Sequence, residues 1–170
     1  MEASDGEHMS NENTANDRHD DNPGTLFPPP LTYLLSLLAG LVLNKTFHVP
    51  FLPHGAARVL GWPLVVSGVL LNGWFFFTMR RAETPIDPRK PVSNLTTDGP
   101  FRYTRNPAYL SMTMIYAGIA ILRNALWALV LLPGVLFVIQ RYQIEREERY
   151  LERTFGEEYL RYKTQVRRWL

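Results

Sequence analysis

The stretch that decides the fold is residues 107–139, PAYLSMTMIYAGIAILRNALWALVLLPGVLFVI, in which two apolar runs are separated only by Arg123 and Asn124. The second of these runs continues without a charged residue as far as Arg141. Two more apolar runs precede them, at residues 26–43 and 59–79, and the latter contains no charge. Because a helix on the surface of a soluble protein needs a polar face, these runs predict an all-α, polytopic membrane helix bundle with about four transmembrane helices.

The lengths of the runs leave one alternative open. A bilayer core needs about 20 helical residues, and only the run at 59–79 reaches that length comfortably. The other runs must include flanking residues to cross a membrane. A soluble helical bundle has buried helices of similar length, but the lack of charge across two of the runs favours the membrane.

The N-terminal segment differs in composition from the rest of the chain. Residues 1–24 contain seven acidic residues, one arginine and no aromatic residue. Such a segment cannot bury enough apolar surface to offset the loss of chain entropy. We therefore predict a disordered acidic tail at residues 1–25 and a membrane-embedded domain at residues 26–170. The tail also lacks the basic and apolar regions of a signal peptide.

Composition excludes several kinds of site. The 170 residues include no cysteine and only four scattered histidines, so we predict no cysteine nucleophile, no disulfide and no metal site. We also expect no nucleic-acid partner.

The distribution of lysine and arginine predicts the orientation in the membrane. Six basic residues lie between residues 80 and 105 and eight between residues 141 and 168, whereas the other side has only Lys45, Arg58 and Arg123. With four spans, both termini and the loop at 80–106 are then predicted to be cytoplasmic.

The end of that loop is suited to start the third helix. Gly99 is free to adopt a positive φ, and Asn106 and Pro107 suit the N-cap and the first helical position. Tyr109 then lies in the first turn. The same residues also admit a purely structural interpretation, as a capped helix entry with an aromatic anchor at the membrane interface.

The fourth run is predicted to continue into the cytoplasm as one helix, to about residue 153. At 100° per residue, Glu147 shares a stripe with Gln143 and Ile144, whereas Glu148 falls on the opposite, solvated side. A carboxylate on a packed face needs a partner. We therefore predict that Glu147 meets either Arg105, in a structural ion pair, or a cationic ligand.

The C-terminal segment is predicted to lie at the membrane interface. Gly156 suits the C-cap of the preceding helix, and a short amphipathic helix follows. Tyr159 or Tyr162, on that helix, could close over a site.

Two motifs that bracket the apolar hairpin resemble the isoprenylcysteine carboxyl methyltransferase family, and phospholipid N-methyltransferases share a related motif. The motifs are residues 93–109, SNLTTDGPFRYTRNPAY, and residues 145–159, EREERYLERTFGEEY. The resemblance extends from about residue 60 to the C-terminus. It implies that S-adenosylmethionine binds on the cytosolic side, between the loop motif and the last long helix.

Carried over position by position, the resemblance implies a set of cofactor contacts: Ser93, Asn94, Leu95, Thr96, Phe101, Asn106, Pro107, Ala108, Tyr109 and Glu147. We expect catalytic roles for Arg105, which would orient a carboxylate, and for Glu147, and substrate contacts from Gln143 and Tyr159. The chain departs from the family pattern at three positions. Asn106 replaces the usual His, Ser111 replaces a Gly, and Gln143 replaces the Arg that binds the substrate carboxylate in eukaryotic prenylcysteine enzymes.

The sequence thus predicts an S-adenosylmethionine-dependent methyltransferase in an integral, multi-pass membrane protein. Its expected partners are the lipid bilayer and a lipophilic or small-molecule methyl acceptor, with a carboxylate as the accepting group. One alternative is a phospholipid or amine N-methyltransferase. A second is a non-catalytic membrane protein that retains the scaffold.

Overall fold

The computed structural model describes residues 28–82 and 94–170. Ser93 and the predicted tail at 1–25 lie outside these ranges. The described residues form helices and no strand, which confirms the all-α prediction. The α-helices are α1 Pro29–Thr46, α2 His54–Arg81, α3 Pro107–Leu122, α4 Leu126–Ile139, α5 Glu145–Phe155 and α6 Glu157–Gln165. A 3-10 helix, Gly99–Arg102, precedes α3, and a π-helical turn, Gln140–Ile144, joins α4 to α5.

Proline and glycine mark several helix boundaries where the sequence predicts them. Asn106 is the N-cap of α3 and Pro107 its first residue. Gly99 has a φ of 60° at the start of the 3-10 helix, and Gly156 has a φ of 50° between α5 and α6. These values lie in the left-handed region that glycine adopts without a steric penalty.

Helices α2 and α3 form the closest pair because glycines remove side chains from their interface. A Cβ on Gly61 would lie 2.9 Å from the carbonyl oxygen of Gly118, and a Cβ on Gly118 would lie 2.8 Å from that of Gly61. On the other side of α3, Tyr33 of α1, Tyr116 of α3 and residues of α4 form the buried core. Helix α3 therefore lies between α2 and the pair formed by α1 and α4.

One end of the bundle is closed by the turn between α3 and α4. The side-chain oxygen of Asn124 accepts hydrogen bonds from the backbone N–H groups of Phe51 (3.1 Å) and Leu52 (3.2 Å). Its amide nitrogen donates to the carbonyl of Leu52 at 2.7 Å. These contacts tie the α1–α2 connection to the α3–α4 turn. The start of α3 and helices α5 and α6 lie at the opposite end.

Within residues 28–82 and 94–170, two helices are long and apolar enough to cross a membrane. They are α2, His54–Arg81, and the continuous helical segment Leu126–Phe155. In the most apolar 18-residue stretch of α2, only 11% is buried inside the protein. In the corresponding stretch of Leu126–Phe155, 28% is buried. The core helix of a soluble protein would be mostly buried, so these exposed apolar surfaces indicate lipid contact.

The segment after α4 is helical, as predicted, but it is not a regular α-helix throughout. The turn Gln140–Ile144 has π-helical hydrogen bonding, which changes the angular spacing of side chains. A helical wheel drawn at a constant 100° per residue therefore fails across this turn. Glu148, which the wheel assigned to the solvated side, is in fact buried, with 6% of its surface exposed.

Candidate active site

A cavity of about 340 Å³ lies where the start of α3 meets helices α5 and α6. Ten residues predicted for the site line it: Leu95, Thr96, Phe101, Arg105, Asn106, Pro107, Ala108, Tyr109, Glu147 and Tyr159. The remaining wall is mostly apolar and includes Phe75, Phe76 and Met79 of α2, Met112 of α3 and Leu151 of α5. The cavity thus has a polar side and an apolar side.

Glu147 faces this cavity, as the sequence predicts. The Tyr109 hydroxyl donates a hydrogen bond of 2.5 Å to Glu147 Oε1. A short hydrogen bond to a carboxylate is strong. Tyr109 is itself buried in the first turn of α3, so it fixes the Glu147 carboxylate in one orientation.

The turn before α3 is held by the backbone of the C-terminal segment. The N–H of Arg105 donates to the carbonyl of Arg167 at 3.0 Å. The carbonyl of Arg168 accepts hydrogen bonds from the Thr104 hydroxyl (3.2 Å) and the Asn106 side-chain amide (2.9 Å). Asn106 therefore occupies the N-cap position but makes no side-chain cap hydrogen bond; its side-chain amide nitrogen donates to the C-terminal segment instead.

Arg105 pairs with Glu148, not with Glu147. Arg105 Nη1 lies 3.2 Å from Glu148 Oε1, and the two side chains are only 8% and 7% exposed. Arg168 also donates two hydrogen bonds to Glu148, from Nε at 3.0 Å and from Nη2 at 2.7 Å. The hydrogen bond to Glu148 raises the pKa of Arg168. The proposed Glu147–Arg105 ion pair is therefore wrong, and Glu148 is the carboxylate between two guanidinium groups.

Aromatic side chains close the cavity on the side of α6. The Tyr162 hydroxyl donates to the carbonyl of Phe101 at 2.7 Å, and the ring of Phe101 lies 5.9 Å from that of Phe75 between centroids. Tyr159 is 1% exposed. Burial raises the pKa of Tyr159 to about 12, and nearby Arg105 opposes this only in part. The Tyr159 hydroxyl therefore stays protonated at neutral pH.

Three predicted site residues are not found in the cavity wall. Asn94 is exposed and does not line the cavity. Gln143 is buried in the π-helical turn, away from the wall. Ser93 lies outside the described residues. The predicted substrate contact of Gln143 is therefore not supported by its position.

Sequence reasoning missed two groups of residues. Glu148 was assigned to solvent, and Arg168 was included only in a segment at the membrane interface. Neither the π-helical turn nor the path of the C-terminal segment can be predicted from periodicity. Phe75, Phe76 and Met79 were treated only as parts of an apolar run. They lie at the end of the run at 59–79 that the sequence analysis predicts to be cytoplasmic. That position was the one signal in the sequence that they lie near the loop motif.

Comparison with known proteins gives the family. The sequence model of the phospholipid methyltransferase family matches residues 56–158, which is more than half of the chain. The chain belongs to the phospholipid methyltransferase family. The predicted resemblance to this group of membrane methyltransferases is confirmed.

Other comparisons add less about function. An uncharacterized protein of Haemophilus influenzae is 48% identical over 67 residues, which cover 36% of this chain and 98% of the relative. No solved structure gives a significant match.

Membership of the phospholipid methyltransferase family implies methyltransferase activity and, with the two membrane-capable helices, indicates a membrane protein. The matched region contains α3, α4, α5, all but the first two residues of α2, and most of the cavity wall, whereas Arg168 follows it.

Proposed function

We propose that this protein is an S-adenosylmethionine-dependent methyltransferase of the membrane that acts on a lipophilic acceptor. The observation that carries the proposal is the cavity in which the two sequence motifs meet. The loop motif supplies one wall, and Glu147 and Tyr159 of the second motif supply another. Membership of the phospholipid methyltransferase family supports methyl transfer as the reaction.

The residues of the cavity fit this cofactor. The cavity volume of about 340 Å³ falls within the range of roughly 300–1,000 Å³ that is typical of small-molecule sites. Within the described residues, Arg105 Nε is buried and donates no hydrogen bond, whereas Nη1 is ion-paired with Glu148. Because a buried donor without an acceptor is costly, an anionic group in the cavity would stabilise Arg105. Either the carboxylate of the cofactor or that of a carboxylate acceptor would supply such a group.

When bound, S-adenosylmethionine supplies a methyl group that is already activated by its positively charged sulfur. The protein then needs mainly to orient the reactants and exclude water. Glu147, held by Tyr109, would accept hydrogen bonds from amino or hydroxyl groups of the cofactor. Phe101 and Tyr109 line the cavity, and their rings would attract the positively charged sulfur.

The apolar side of the cavity supports a lipophilic acceptor. Phe75, Phe76 and Met79 of α2 line it, and Phe76 is also exposed on the outside of the bundle. A carboxylate acceptor would be oriented by Arg105 and would need no general base. The second candidate, an amine of a phospholipid, is favoured by the description of the matching family.

Methyl transfer from labelled cofactor tests this function. The purified protein is incubated with methyl-labelled S-adenosylmethionine and either total membrane lipid, amino phospholipids or lipophilic carboxylic acids. A carboxyl acceptor gives a methyl ester that mild base hydrolyses to labelled methanol, whereas an amine acceptor keeps the label on nitrogen, from which mild base does not release it. We expect transfer in at least one arm, and loss of transfer in Glu147→Gln but not in Glu158→Gln, which alters an exposed acid. Absence of transfer in every arm would overturn the proposed activity.

We further propose that the chain crosses the membrane four times, with both termini and the cavity on the cytoplasmic side. The basic residues at 80–105 and 141–168 support this orientation. The fold supports it as well, because the start of α3 and helices α5 and α6 lie at one end of the bundle.

A further inference from the structure

The C-terminal segment at 166–170 crosses the turn before α3 and continues to the π-helical turn. The carbonyls of Arg167 and Arg168 accept hydrogen bonds from three donors in the turn before α3: the Arg105 N–H, the Thr104 hydroxyl and the Asn106 side-chain amide. Beyond them, the Trp169 indole N–H donates to Gln140 Oε1 at 3.2 Å. The segment is therefore anchored both on the turn before α3 and on the π-helical turn.

The side chain of Arg168 adds a charged anchor to these backbone contacts. Its Nε and Nη2 bind both oxygens of Glu148, at 3.0 and 2.7 Å. The same carboxylate lies 3.2 Å from Nη1 of Arg105, a cavity residue. A buried carboxylate that loses one of two cationic partners becomes strongly unfavourable. Arg168 thus stabilises the charge that holds Arg105.

We propose that Glu148 and Arg168 are positioning residues that hold Arg105 and Asn106 in the orientation in which both face the cavity. This inference rests on the proposed function, because the two oriented side chains are assigned to the methyl-donor site. Arg168 acts from outside that site: its carbonyl fixes the Asn106 amide, and its guanidinium fixes Glu148, which in turn fixes Arg105. Arg168 does not line the cavity, whereas Glu148 does; to Glu148 we assign the orientation of Arg105 and no part in the reaction itself.

Cofactor affinity and amide exchange together test the proposal. In detergent-purified full-length protein, we expect Arg168→Ala and Glu148→Gln each to weaken S-adenosylmethionine binding about ten-fold or more, since misplacing a positioned group by about 1 Å can cost up to 100-fold. The two effects should be less than additive, because both variants break one network. Arg168→Lys, which can bind one oxygen of Glu148, should recover part of the affinity.

Arg153→Ala is the matched control. It removes one positive charge from an exposed position on α5, the helix that carries Glu148, and should bind the cofactor like the wild type. Equal weakening in Arg153→Ala would show a general charge effect and overturn the proposal. So would an Arg168→Lys variant that binds no better than Arg168→Ala.

A cofactor-free measurement separates this proposal from the proposed function. We expect Arg168→Ala to speed hydrogen exchange of the Arg105 amide, because the carbonyl of Arg167 that accepts from it would no longer be held. Folded Arg168→Ala and Glu148→Gln variants with wild-type affinity and exchange would overturn the positioning role, even if their melting temperatures fall. If Arg168→Ala does not fold, Glu148→Gln decides the same question. A wild-type protein that binds no cofactor would instead overturn the proposed function.

Discussion

Glu147 and Glu148 are adjacent in α5 and have different partners. Glu147 accepts a hydrogen bond from Tyr109 in the cavity wall, whereas Glu148 pairs with Arg105 and Arg168. At the scale of single residues, the fold thus gives two neighbouring carboxylates separate tasks. One is available to a ligand, and the other is neutralised by protein cations.

Tyr109→Phe should weaken cofactor binding about ten-fold. The variant keeps the ring but removes the hydrogen bond that orients Glu147, and a hydrogen bond to a charged group contributes about 1.5–3 kcal/mol. Calorimetric titration of the purified variant with S-adenosylmethionine measures the effect. Tyr116→Phe is the control, because its hydroxyl donates to the Ala128 carbonyl at 2.9 Å, away from the cavity. Equal affinities of both variants would contradict the role of Tyr109.

Gly99→Ala should destabilise the protein by about 2 kcal/mol or more. Its φ of 60° costs a residue with a side chain about 1–2 kcal/mol, and the added methyl group would collide with the Thr78 hydroxyl. Thermal unfolding in detergent gives the comparison with Gly134→Ala, where nothing lies within 4 Å of the new Cβ. A Gly99→Ala protein as stable as Gly134→Ala would contradict the tight packing of this turn on α2.

At the scale of helices, the sequence predicted which helices exist and in what order they follow one another. It predicted the orientation of their side chains less well. The starts of α3 and α6 were predictable because Pro107 restricts the backbone to a helical φ, whereas Gly156 permits the positive φ between α5 and α6. The buried face of α5 was not, because it depends on the π-helical turn at Gln140–Ile144. Such a turn is set by tertiary packing, as is the contact of Arg168 with Glu148. Local periodicity carries no information about either.

The packing of α2 on α3 also gives a prediction at this scale. Gly61→Ala should destabilise the pair by about 1–3 kcal/mol, since the new methyl group would meet the backbone of Gly118. Gly73→Ala makes the same change in the same helix with no atom within 4 Å, and should be neutral or stabilising because alanine favours helix. Melting temperatures of the two variants provide the measurement. The packing account fails if Gly61→Ala melts at or above the temperature of Gly73→Ala.

At the scale of the whole molecule, the proposed orientation can be tested on a chain that has no cysteine of its own. Single cysteines at the exposed positions Arg102 and Thr164 should react with an impermeant maleimide only after the membrane is opened. A cysteine at exposed Lys45 should react in intact cells. Labelling of Lys45→Cys and Arg102→Cys from the same side would contradict the proposed topology.

The central claim is that the cavity between the two motifs binds S-adenosylmethionine. Its most direct test is calorimetric titration of the purified wild-type protein and of Glu147→Ala, with Glu158→Ala as the exposed-acid control. We predict saturable binding to the wild type and to Glu158→Ala, and affinity at least about ten-fold weaker for Glu147→Ala, which loses a charged hydrogen-bond acceptor. Wild-type protein that shows no binding up to about 1 mM cofactor, where even an interaction of about −4 kcal/mol is detectable, would contradict the claim.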